Sequence, residues 1–234
     1  MIAEELKNDL KFLANFEHAN NLQWFFKTGK GQYGEGDVFI GVKVPNIRKV
    51  ANRFVELSLS EIKKLLYSRI HEERLCALLI LVDKFAKSND TEKKKIFDFY
   101  IKNAKRANNW DLVDLSCPKI VGNYLLDKNK DILYKFAISK NLWQRRISII
   151  STYTFIKNMK FADSFRLAKI LMNDKHDLIH KAVGWMLREI GKRNQLQEEK
   201  FLKKYYIKMP RTMLRYAIEK FEENKRIAYL KSRI

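Results

Sequence analysis

The chain has 234 residues, enough for one large domain or two small ones with a sizeable core. Hydrophobic residues make up 46% and charged residues 32%, which excludes a disordered chain, and 8 Gly with 3 Pro argue against a many-turned β-sandwich or barrel. Lys and Arg number 47 against 27 Asp and Glu, and the resulting +20 favours polyanionic partners, nucleic acid ahead of an anionic membrane surface.

In chain order, apolar residues at helical spacing predict a first helix over 2–16. The stretch Lys27–Val44 breaks the pattern. It holds five of the eight glycines (29, 31, 34, 36 and 41) and the extended-looking run Val38, Phe39, Ile40, so a Gly-rich loop or hairpin is expected near 28–43. It has no Gly-Lys-Ser/Thr ending and no preceding strand, which argues against a nucleotide-binding loop. Lys27 and Lys30 suit a surface loop on nucleic acid; a plain linker is the alternative. Helices follow over 61–67, 72–87, 92–105, 111–126, 132–139, 143–156, 162–172, 177–192, 198–208 and 213–225. Ser58 and Ser60, and Asn89, Asp90 and Thr91, are capping signals, and Pro45, Pro118 and Pro210 each stand where a helix can begin.

Five amphipathic segments start near residues 73, 109, 144, 180 and 214, at intervals of 34 to 36 residues, with one further helix in each interval. That recurrence predicts an all-α fold: an α-solenoid of about six HEAT-like helical pairs over 1–234 as a single domain, curved with a concave basic face. A non-repetitive bundle is the competing architecture. Arg145, Arg146, Lys181, Arg188, Arg211 and Arg215 recur along these segments, a pattern suited to a phosphate backbone. The longest apolar run, Leu75–Val82, is too short to span a bilayer, and the N-terminus lacks a cleavable apolar core, so a cytoplasmic location with reduced, structural Cys76 and Cys117 is expected.

Trp110 and Asp114 share a helical face, one turn apart. A carboxylate beside an aromatic surface stabilises positive charge, although a core Trp with a solvated Asp has the same spacing. Trp185 with Arg188, and Trp143 with Arg145 and Arg146, form two more aromatic–cationic clusters. His176 and His180 are spaced i,i+4 but lack the glutamate of a zinc-binding helix and a third ligand, so no metal site is expected.

The stretches FFKTGKGQYGEGDVFIGVKVPNIRKV (25–50), NNWDLVDLSCPKIVG (108–122), LWQRRISII (142–150), DLIHKAVGWMLREIGKR (177–193) and PRTMLRYAIEKF (210–221) together resemble the bacterial DNA alkylation repair glycosylases of the AlkD family. The resemblance implies excision of N3- or N7-alkylated purines from double-stranded DNA, initiating base excision repair without metal or other cofactor; a monomer is the simplest expectation. It assigns Trp110 and Asp114 to the sugar of the damaged nucleotide, Trp185 to a second aromatic wall, and Arg146, ahead of Arg145, to the backbone. The segment 29–36 departs from the family, and Phe25 or Phe26 stands where it carries a tyrosine. A hairpin at 29–43 would point instead to a non-catalytic relative that binds distorted DNA. A protein-binding scaffold is a third class.

Overall fold

A computed structural model describes residues 1–234. The fold is all-α: α1 (Ala3–Phe12), α2 (Phe16–Phe25), α3 (Val44–Arg53), α4 (Leu59–Leu66), α5 (His71–Lys87), α6 (Asp90–Lys102), α7 (Trp110–Cys117), α8 (Asn123–Leu125), α9 (Asp131–Ala137), α10 (Leu142–Ile150), α11 (Thr152–Lys157), α12 (Ala162–Leu171), α13 (Asp177–Gly191), α14 (Gln195–Tyr205), α15 (Arg211–Ala217) and α16 (Glu223–Leu230). It packs as two compact units, Met1–Ile120 and Val121–Ile234. None of the helices is long and apolar enough to cross a membrane.

Local chemistry accounts for most helix ends. Ser58 and Asn89 accept from the N–H groups of Glu61 (3.3 Å) and Glu92 (3.0 Å), so both expected caps form. The helix expected over 2–16 ends at Phe12, and α2 follows where no helix was expected: Asn15 has extended dihedrals and its side chain caps α2 by accepting from His18 N–H at 2.8 Å. Pro45 lies in the first turn of α3 and Pro210 immediately precedes α15. Pro118 starts no new helix. It closes α7 and opens a π-helical turn over Pro118–Gly122, since a residue without an N–H cannot make the regular i to i−4 bond.

In the first unit α5 is the central helix, packed by α3, α4, α6 and α7. Every residue from His71 to Val82 is buried, so the apolar run serves as a helix enclosed on all sides. The Gly-rich segment forms turns and then an extended stretch that pairs with residues 69–71 and not with itself: Val38 N–H donates to Arg69 O (3.1 Å) and His71 N–H to Val38 O (2.8 Å). Buried Glu72 holds the end of that stretch by accepting from the N–H groups of Ile40, Gly41 and Val42. Gly41 has φ +81°, and a Cβ there would lie 2.0 Å from Asn15 O, so only glycine fits.

In the second unit α13 is central, packed by α10, α12, α14 and α15. Gly184 lets α15 approach: a Cβ would meet Met213 O at 2.4 Å and Tyr216 Cβ at 2.5 Å. Gly184→Ala is expected to destabilise by about 1–3 kcal/mol, the range for overpacking a filled interior, read as a lowered urea midpoint.

Glu198, 1% exposed, lies beneath Gly191 with one carboxyl oxygen unpaired. Burial, reinforced by the Glu199 charge and opposed by Arg188, pushes its carboxyl up to about 9. The folded state therefore keeps a proton that the unfolded chain loses above its ordinary value of 4.5, and stability falls as pH rises between those values. Glu198→Gln is expected to remove a slope of up to roughly 1.4 kcal/mol per pH unit, so urea midpoints at pH 5.5 and 8.5 should differ less in the variant than in the wild type.

Candidate functional site

Asn109 is fully buried and accepts from Trp110 N–H at 2.8 Å, opening α7 so that Trp110 and Asp114 follow on one face of its first turns. Both are partly exposed. Asp114 carries its charge close enough to help raise the buried Tyr100 phenol, which burial itself raises most and which pairs with Ser116 Oγ at 2.8 Å.

Trp110 is neither a core residue nor a free-standing one. Its ring lies against Phe26 (centroids 5.2 Å apart, interplanar angle 19°), which belongs to a compact aromatic cluster with Phe39 and His71 in which the three centroids are 4.4 to 5.2 Å from one another. Phe25, 54% exposed, meets Trp110 edge-on at 6.0 Å. Four rings packed this way fix the tryptophan's plane and leave part of it to a ligand.

Beside the aromatic cluster lies a polar network that no motif or spacing in the sequence marks. His71 Nδ1 faces Asp37 Oδ2 at 3.1 Å and its Nε2 faces Asp111 Oδ2 at 2.8 Å. Arg74 Nη2 is ion-paired with Asp37 Oδ1 at 2.7 Å, Arg74 Nη1 donates to Ser68 O at 2.9 Å, and Asn108 Nδ2 donates to Asp37 Oδ1 at 3.1 Å. A neutral imidazole would set one lone pair against a carboxylate; an imidazolium donates to both. Burial opposes the charge on His71, but the Asp111 and Asp37 carboxylates outweigh it and raise its pKa above the ordinary 6.5. Asp37 goes the other way: burial alone would raise it, while the His71 hydrogen bond and the Arg74 charge bring it below 3.8. Asp111 ties this cluster to the first turn of α7. The visible signal was the run His-Glu-Glu-Arg (71–74) directly before an apolar helix, which periodicity reads as an ordinary polar first turn.

The second unit holds the remaining residues expected to act. Trp185 is partly exposed, donates Nε1–H to Glu189 Oε1 at 3.3 Å and lies 6.0 Å from the Tyr153 ring. Arg145 is held by Asp174 (Nε to Oδ2, 2.6 Å) and by the carbonyls of Ser139 and Lys140. Arg146 is only 5% exposed and donates to Leu178 O at 2.6 Å. Both guanidiniums tie α10 to residues 174–178 at the start of α13. Arg188 is ion-paired with Glu219, Lys181 with Asp177 at 2.7 Å, and Arg211 donates to Leu230 O at 2.8 Å. In the first unit Lys30 is exposed, and Lys27 Nζ sits 5.3 Å from the ring centroid of the exposed Trp24. His176 caps α13 by accepting from Leu178 N–H, and His180 Nε2 pairs with Asp174 O, so the two have separate local partners. Two clefts of the first unit, about 370 Å³ beside Lys84 and about 520 Å³ between Asn15 and Lys43, are lined by neither Trp110 nor Asp114.

Among solved structures, a predicted DNA alkylation repair enzyme from Enterococcus faecalis superposes with a TM-score of 0.71 at 17% identity, covering 90% of this chain and 97% of that one. At that identity the likeness speaks for the fold. No curated protein matches the chain in sequence. A family model described as DNA alkylation repair enzyme matches residues 6–221, nearly the whole length. The chain belongs to the DNA alkylation repair enzyme family.

Proposed function

We propose that the protein is a DNA glycosylase that hydrolyses the N-glycosidic bond of N3- or N7-alkylated purines in duplex DNA, acting as a monomer. The observation that carries the reading is Trp110 and Asp114 one turn apart on α7, with Trp110 packed between Phe26 and Phe25 at the edge of the aromatic cluster. An alkylated purine of this kind is already cationic, so the C1′–N bond breaks with its electron pair going to the base, which leaves neutral. The sugar becomes oxocarbenium-like, the charge type that a carboxylate stabilises in glycoside hydrolysis. Asp114 supplies that negative field, orients water toward C1′ and accepts its proton, while the Trp110 face adds cation–π attraction. Trp185 offers a further aromatic surface for DNA in the second unit, and Lys27, Lys30, Lys181 and Arg211 add cationic surface for the backbone. Arg145, Arg146 and Arg188 also hold elements of the second unit together.

The alternative of a non-catalytic, hairpin-bearing DNA binder rests on a hairpin at 29–43. That segment pairs with residues 69–71 and delivers Asp37 and Phe39 to the cluster behind Trp110, which favours the catalytic reading. The test is release of 3- or 7-methylpurine from alkylated duplex DNA by the full chain, followed by chromatography. Tight DNA binding with no base released would overturn the proposal.

A further inference from the structure

A crevice of about 180 Å³ opens in the first unit between the Gly-rich segment at Gly36, the turn at Tyr67–Arg69 and the loop at Lys105 and Arg106. It is too small for a nucleoside or a drug-sized ligand, whose pockets start near 300 Å³, and ample for a single phosphate group. Arg69, Lys105 and Arg106 are all exposed there and none is ion-paired, in contrast to the paired Arg53, Arg145 and Arg188.

The Arg106 guanidinium is stacked 3.9 Å from the Tyr67 ring centroid, which orients its plane and leaves its edge donors for a planar or tetrahedral anion. Lys63 Nζ, 5.5 Å from the same ring, adds a further cation. Arg74, 3% exposed, also lines the crevice, and its Nε has no hydrogen-bond partner in the protein. The carboxylates present do not cancel this charge. Asp37 is committed to His71, Arg74 and Asn108, and only Glu35 on the rim opposes an anion.

We infer that the crevice formed by Arg69, Lys105 and Arg106 around Tyr67 seats one phosphodiester of the DNA backbone. The inference rests on the reading of the protein as a DNA enzyme. Asn108, which lines the crevice, directly precedes the cap residue of α7, so a phosphate seated here registers the strand against the helix that carries Trp110 and Asp114.

The test uses the full chain and fluorescently labelled duplexes of unrelated sequence, titrated from 50 to 300 mM salt. Arg69→Gln/Lys105→Gln/Arg106→Gln is compared with an equal charge loss elsewhere, Lys200→Gln/Lys203→Gln/Lys208→Gln, with thermal melts confirming that both fold. Loss of one phosphate contact lowers the slope of log K against log salt by about 0.9 and weakens binding about fivefold at 0.15 M, alike for every duplex. The distal control should shift less, and Glu35→Gln should tighten binding, because it removes the one opposing charge. An unchanged slope in the crevice variant, or an equal loss in the control, overturns the crevice; the methylpurine assay then still reads the glycosylase proposal separately. Wild-type protein that binds anionic lipid vesicles but no duplex overturns both.

Discussion

Replacing Asp114 with Asn is expected to lower the single-turnover rate of alkylpurine release by a factor on the order of 10²–10⁴, the range for losing a positioned base or electrostatic stabiliser. The substitution keeps the side chain's size and removes its charge at a partly exposed position, so the fold should be retained. Duplex affinity should hold or rise, since one repulsion from the phosphates disappears. Trp110→Ala and Trp185→Ala should each cost less, because each removes one aromatic surface and leaves the carboxylate in place. Single-turnover assays at saturating enzyme separate these effects from binding. An active wild type matched in rate by Asp114→Asn would sink the mechanism while leaving the enzyme class standing.

Asp37→Ala should be the most destabilising single change around the site, on the order of 3–5 kcal/mol, because it leaves Arg74 and His71 buried without their shared counter-charge. The pH dependence follows from the two shifted groups. The contribution of Asp37, whose folded pKa is lowered, is present above 3.8 and lost as pH falls through its folded value. The contribution of His71, whose folded pKa is raised, is full below 6.5 and lost as pH rises through its folded value. The network is therefore strongest between about pH 4 and 6.5. Urea unfolding of wild type and Asp37→Ala across pH 3 to 9 reads this directly: the two curves should draw together in acid. His71→Gln should show a shallower decline on the alkaline side than the wild type, leaving the slope that Glu198 contributes. A cost for Asp37→Ala below about 1 kcal/mol would show that the cluster does not hold α7.

The π-helical turn at Pro118 and the break at Asn15 show where reading by period alone stops. Both segments have apolar residues at helical spacing, but at Pro118 a missing N–H changed the turn, and at Asn15 a side-chain cap restarted the helix. Helix α2 escaped notice because it buries only Ala19 and leaves Phe16, Trp24 and Phe25 exposed, so its faces differ little in polarity.

What the amino-acid sequence determined unaided was the all-α class, the Ser58 and Asn89 caps, the cationic surplus that fits a DNA partner, and the shared face of Trp110 and Asp114. Each is either a sum over the chain or a relation between residues within one or two helical turns. The tertiary structure alone decided that Asp37, His71, Arg74 and Asp111 form one buried cluster, that Arg145 and Arg146 serve carbonyls and Asp174, and that Arg69, Lys105 and Arg106 remain unpaired around Tyr67. Those outcomes depend on which charges meet across 30 to 70 residues of chain and on how much water is excluded where they meet, and neither quantity is written in local spacing.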